Sequence, residues 1–144
     1  MKAQSALLLD VGNDNQLSQS LQNIIEPYFR VHPGGLGRAS GNDSVGFRRD
    51  LARLINSADP NIIFLVLPPD LETYHSTIIE SIREDARQVP LIAVVAAEVC
   101  EPQHVFQLLK VGAADFITSP LTVSDVLPRT WRLIRQYADK QQRT

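Results

Sequence analysis

Residues 61 to 70, NIIFLVLPPD, carry six apolar side chains from Ile62 to Leu67 into two prolines and an acid. The run has strand length, and a strand that is apolar at every position, instead of at alternate ones, needs cover on both faces. The interior of a parallel sheet with helices packed on either side provides that cover. In open sheets of this kind ligands collect beyond the carboxyl ends of the strands. Ile62 to Leu67 nevertheless offers no nucleophile, acid or metal ligand.

Outward from this run, strand-length apolar stretches alternate with stretches of helical period. ALLLD at residues 6 to 10 is read as the first strand, followed by a helix whose Leu17, Leu21, Ile24 and Ile25 share one face and which Pro27 limits. A short second strand is expected near Tyr28 to His32, before the glycine-rich PGGLGRASGND. Phe47, Leu51, Leu54 and Ile55 mark a helix that ends before Pro60, and Leu71, Tyr74, Ile78, Ile79 and Ile82 mark the one after NIIFLVL. VPLIAVVAA gives a fourth strand, Gln103 to Val111 a fourth helix and ADFIT a fifth strand. The last helix starts near Thr122, which pairs with Asp125 in a capping-box pattern, and Pro128 is expected to bend it. Five strand–helix units with right-handed crossovers predict a three-layer, doubly wound parallel sheet of flavodoxin-like order 2-1-3-4-5.

Composition narrows the function classes. A chain of 144 residues, 44% of them hydrophobic, holds enough material for one core. Fourteen basic against sixteen acidic residues give a formal charge of −2, so direct nucleic-acid binding and attraction to an anionic membrane are not expected. Asp10 interrupts the N-terminal apolar run and no cleavage site or membrane span follows, which predicts a cytoplasmic protein. The one cysteine, Cys100, allows no internal disulfide, and His32, His75 and His104 lack metal-ligand spacing. The glycines of residues 33 to 42 lack the Lys-Ser/Thr ending of a phosphate loop and are read as surface loop. Trp131 falls near Leu127 and Ile134 and is read as core; Arg129, Arg132 and Arg135, interspersed with Asp125 and Asp139, are read as a solvated face.

LLLD, PNIIFLVLPPD, VPLIAVV and KVGAADFITSPLTVSDVL together resemble a bacterial response-regulator receiver domain along nearly the whole chain, most specifically in GAADFITSP at residues 112 to 120. The resemblance implies a receiver-like domain over residues 1 to 138 and the start of a linker or tail over 139 to 144. It also implies that the chain is the N-terminal input domain of a regulator whose output domain follows Thr144. Receivers accept a phosphoryl group on an aspartate ending strand three; the ungapped match to that position is Val66, or Leu65 counting back from Pro69. The strand-four hydroxyl position falls at Val95, or at Ala96, and the lysine position at Ser119. Of the acidic pair after strand one, Asp10 remains, followed by Val11; whether Asp14, in the longer turn VGNDN, reaches the pocket is left open by the sequence.

Formation of an acyl phosphate needs a carboxylate nucleophile, a divalent cation and a positive group to offset developing charge. Val66, Val95 and Ser119 supply none of these. The expectation is a degenerate, pseudo-receiver domain with no enzymatic activity, no catalytic residue, no metal site and no cofactor. Without the hydroxyl, Phe116 at the aromatic switch position is expected to be fixed core. Protein contact is the expected function, including homodimerisation through helix 4, strand 5 and helix 5. Sensing of a small ligand by the remodelled pocket is the alternative.

Overall fold

The computed structural model describes residues 4–11, 15–36, 44–67, 75–96 and 101–142. The elements follow one another as β1 (Gln4–Val11), α1 (Asn15–Ile25), β2 (Phe29–Leu36), α2 (Ser44–Ala58), β3 (Ile62–Leu67), α3 (His75–Asp85), β4 (Leu91–Val95), α4 (Pro102–Lys110), β5 (Asp115–Thr118) and α5 (Val123–Gln142). All neighbouring strands are parallel and the sheet order is β2-β1-β3-β4-β5. This is the order that the alternating sequence pattern predicts.

The continuous apolar run of β3 is divided between two cores by the alternation of side chains along a strand. Ile63, Leu65 and Leu67 pack with Leu51 of α2, Ile78, Ile79 and Ile82 of α3 and Leu108 of α4. Ile62, Phe64 and Val66 pack with Leu17, Leu21 and Ile25 of α1 and Val126, Leu127 and Leu133 of α5. All six β3 residues are fully buried. At about 1.5–3 kcal/mol for each large apolar side chain removed from water, this strand and its two helical layers supply much of the driving force for folding.

The second strand differs from its sequence reading. Instead of ending near His32, β2 runs through Pro33, Gly34 and Gly35 to Leu36, paired with Leu8, Leu9, Asp10 and Val11 of β1. Proline is tolerated because β2 is an edge strand, with β1 as its one partner in the sheet. Gly34 serves packing: a Cβ there would lie 2.8 Å from Leu54 Cδ1 and 3.3 Å from Leu9 Cδ2, so its absence lets α2 settle onto the sheet. Residues 37–43, the remainder of the glycine-rich segment, lie outside the described residues, as do Asp14, Leu71, Tyr74 and Cys100.

Thr122 caps α5 as its sequence implies, its Oγ1 accepting a hydrogen bond from the Asp125 N–H at 3.2 Å. The helix continues past Pro128 to Gln142, into the polar stretch that begins at Asp139. Pro128 removes the donor for the Ser124 carbonyl, and both residues are exposed, where water replaces it. Trp131 departs from the core reading: it is 40% exposed and stacks on Phe29 with ring centroids 4.9 Å apart. The helix turns Val126, Leu127 and Thr130 into the core and leaves the indole covering the start of β2.

The turn between α4 and β5 depends on Gly112, whose φ of +129° disfavours any side chain. A Cβ at this position would also lie 2.8 Å from Cγ of Arg83. Arg83 has little freedom to yield, because its guanidinium donates to the carbonyls of Val89 at 2.6 Å, Arg87 at 2.9 Å and Ala86 at 3.3 Å. Gly112→Ala is therefore expected to lower stability by about 2 kcal/mol. Urea unfolding should show the midpoint falling while the slope stays constant; an unchanged midpoint would contradict the strain argument.

Candidate functional site

The register of β1, β3 and β4 decides which side chains meet at the carboxyl ends of the strands. Asp10 lies opposite Val66, and Val66 lies opposite Val94. Side-chain alternation sends Asp10 and Val66 toward the α1–α5 layer, while Val95 joins Leu65 and Leu67 in the opposite core. Val66, Val95 and Leu65 are fully buried and Ala96 is buried. Both candidates for the strand-three position and both for the strand-four position are thus packed hydrocarbon.

Asp10 is half-buried, and its Oδ2 accepts a hydrogen bond from Ser18 Oγ at 2.7 Å. Ser18 belongs to α1, on the turn that also carries buried Leu17, so the same helical register that packs Leu17 presents the hydroxyl to Asp10. The serine had no signal in the sequence beyond its place in the helix after the first strand. A cleft of about 290 Å³ opens beside the pair, bordered by Leu8, Gln22, Pro33 and Gly34.

Ser119 follows β5, half-buried, and its N–H donates to the Val95 carbonyl at 3.3 Å. The structure therefore brings Ser119 to the end of β4. It does not bring Ser119 to Asp10: three strand spacings, on the order of 14 Å, separate β1 from β5, beyond the reach of a one-carbon side chain. Phe116 pairs with Ala93 and rests half-buried against the core beneath α2, α3 and α4. Among the described residues no group of three His, Cys, Asp or Glu side chains is disposed to hold a metal ion. The described strand ends therefore offer one engaged carboxylate, small hydroxyls and hydrocarbon.

A second feature lies on the face formed by α4, β5 and α5. Val105 and Leu108 fill the inward stripe of α4, which leaves Phe106 70% and Leu109 39% exposed. Between α5 and β5, Arg129 Nη1 donates to both carboxylate oxygens of Asp115 at 3.2 Å. Arg132 approaches the same carboxylate at 3.9 Å, and Arg129 Nε lies 3.7 Å from Asp125. Arg129 and Arg132 therefore converge on one largely buried acid. The sequence signal for this face was an excess: PQHVFQLLK holds more large apolar residues than one inward stripe accommodates.

No protein-family model matches the sequence, and no curated protein is similar to it. Solved structures do match. A CheY-like protein, TadZ, from Pseudomonas aeruginosa PAO1 superposes with a TM-score of 0.70 at 20% identity, over 89% of this chain and 98% of that one. The signal receiver domain of a LuxO repressor protein from Vibrio parahaemolyticus gives 0.68 at 16% identity, over 96% of each chain. The receiver domain of the sensor histidine kinase PA1611 from Pseudomonas aeruginosa PAO1, which has a magnesium ion coordinated in its active-site cleft, gives 0.63 at 20% identity over 92% of this chain and 98% of that one. Together with the strand order, these similarities establish that the chain has the CheY-like, flavodoxin-like fold of receiver domains.

Proposed function

We propose that this chain is a pseudo-receiver: a regulatory module that accepts no phosphoryl group and works by contact with other proteins. In this reading it acts in the cytoplasm, as the input domain of a bacterial transcriptional or signalling regulator. The observation that carries the proposal is the burial of Val66 and Val95 at the strand ends where receiver chemistry takes place. A phosphoryl acceptor must expose a nucleophilic oxygen to the donor, and neither position has one. Magnesium favours carboxylates and waters in octahedral array. Asp10 supplies one carboxylate, already hydrogen-bonded to Ser18. The described residues do not fit the ion that PA1611 holds. In this reading the module regulates by contact and carries out no reaction of its own.

What the module retains is a surface. Phe106 and Leu109 form an exposed apolar pair on α4. A two-fold contact through α4, β5 and α5 would cover this pair with its own copy, and the homodimer is the partner we assign to it. Sedimentation velocity across a concentration series tests the reading: self-association is expected, with the same midpoint in the presence and absence of acetyl phosphate and magnesium. A monomer at every concentration, or association that requires acetyl phosphate, would contradict it. The second reading, small-ligand sensing, draws support from the cleft beside Asp10 and Ser18. A metabolite that raises the melting temperature of the wild type but not of Ser18→Ala would favour it.

A further inference from the structure

Around the cleft beside Asp10, hydrogen-bond donors are already committed and acceptors are left over. Ser18 gives its hydroxyl proton to Asp10 Oδ2 at 2.7 Å, so its oxygen keeps only lone pairs to offer. Gln19, the next residue on α1, donates from its amide nitrogen to Asn23 Oδ1 at 3.0 Å, which turns its carbonyl oxygen the other way. Pro33, on β2, has no N–H. Gln22, one turn beyond Ser18, carries an amide that presents its oxygen as readily as its nitrogen. Asp10 is the one charged side chain in the lining, with no Lys, Arg or His beside it. Its Oδ1 is closed to solvent, so contact with a ligand falls to Oδ2.

A lining rich in acceptors and carrying one negative charge disfavours anions and selects a cation that brings its own hydrogens. An alkylammonium group has three N–H donors and no acceptor, and its hydrogen bond to a carboxylate is charge-assisted. A divalent metal asks for a fuller set of oxygen ligands than one carboxylate and two mobile amides provide. Asp10 is half-buried, so salt screens its charge less than that of an exposed acid. At about 290 Å³ the cleft lies at the lower limit of ligand sites, on the order of 300 Å³. That size suits a molecule of few heavy atoms, and Leu8 and Pro33 give it apolar surface for a short alkyl chain.

We propose that this cleft binds a small primary amine in its ammonium form. The ammonium sits between Asp10 Oδ2 and Ser18 Oγ, a Gln19 or Gln22 carbonyl takes its third hydrogen, and the alkyl chain lies along Leu8 and Pro33. The assignment rests on the small-ligand reading and names its ligand class.

NMR titration of the ¹⁵N-labelled full chain with n-butylammonium, n-butanol and butyrate tests the proposal, because the three probes share a four-carbon chain and differ in charge. Butylammonium alone is expected to give saturable shifts at the amides of Asp10, Ser18, Gln19 and Gln22. Asp10→Asn, which keeps the shape and removes the charge, should weaken its binding at least tenfold. Gln22→Lys, which sets a cation in the lining, should abolish butylammonium binding and admit butyrate. Spectra unchanged outside the cleft establish that both variants fold. Binding of butanol or butyrate by the wild type, lost in Ser18→Ala, would overturn the ammonium assignment and leave the small-ligand reading standing. Saturable binding of none of the three would remove both, and butylammonium binding indifferent to Asp10→Asn and Gln22→Lys would overturn the assignment. Nα-acetyl-lysine amide carries the same group on a protein side chain; tighter binding of it than of butylammonium would overturn the free amine as the source in favour of a partner's lysine.

Discussion

Val66→Asp should destabilise the domain by about 3 kcal/mol or more at neutral pH, which places it among the most damaging single substitutions. The side chain at 66 has no exposure to water, and its strand neighbour in register is Asp10. A carboxylate introduced there would lose its hydration and meet a like charge on the adjacent strand, both of which raise its pKa. The sign of the pH dependence follows. Below the unfolded value of about 3.9 the new group is neutral in both states and its ionisation costs nothing. As pH rises toward and through the raised folded value, the unfolded state loses its proton first and stability falls. The gap between variant and wild type in urea unfolding should therefore be wider at pH 8 than at pH 4. Magnesium should leave it unchanged; a variant that magnesium restores to wild-type stability would show that a working cation site survives at the strand ends.

Phe106→Glu carries the second large effect, on assembly instead of folding. Because Phe106 is 70% exposed, the substitution should leave the unfolding free energy within about 0.5 kcal/mol of wild type. At the centre of a two-fold contact, however, each glutamate would face its symmetry-related copy in a water-poor environment. The dissociation constant of the dimer is expected to rise at least a hundredfold, equivalent to about 2.8 kcal/mol. Equal sedimentation of variant and wild type at matched concentration would remove α4 from the interface. The Leu109→Glu variant, on the same exposed pair, should follow Phe106→Glu.

The layered core was legible in the sequence because β3 and β4 are apolar at every position, a pattern that only cover on both faces explains. The strand order followed from the alternation of strands and helices. β2 was under-read because Pro33, Gly34 and Gly35 signal a turn locally, whereas the sheet edge tolerates the proline and Leu54 requires the space above Gly34. Both causes are tertiary and leave no trace in the residues themselves. Trp131 was misassigned for a related reason: its neighbours Leu127 and Ile134 mark an apolar stripe, but the edge of that stripe reaches only Phe29.

At the site, the sequence located the positions and the structure supplied their surroundings. Val66 or Leu65, Val95 or Ala96, and Ser119 are placed by the resemblance to receiver domains. That Val66 and Val95 face opposite cores, and that Asp10 is held by Ser18, depends on register and helix rotation. Phe106 and Leu109 escaped notice because an apolar residue count does not say which members of a helix face inward; Val105 and Leu108 had to be placed first.

The pseudo-receiver reading is tested most directly by exposing the intact protein to acetyl phosphate and magnesium and measuring its mass. The account predicts one species of unaltered mass at all times, alongside a conventional receiver that gains a phosphoryl group under the same conditions. A stable phosphoryl adduct on this chain, mapped to Asp10 or any other aspartate, would contradict it.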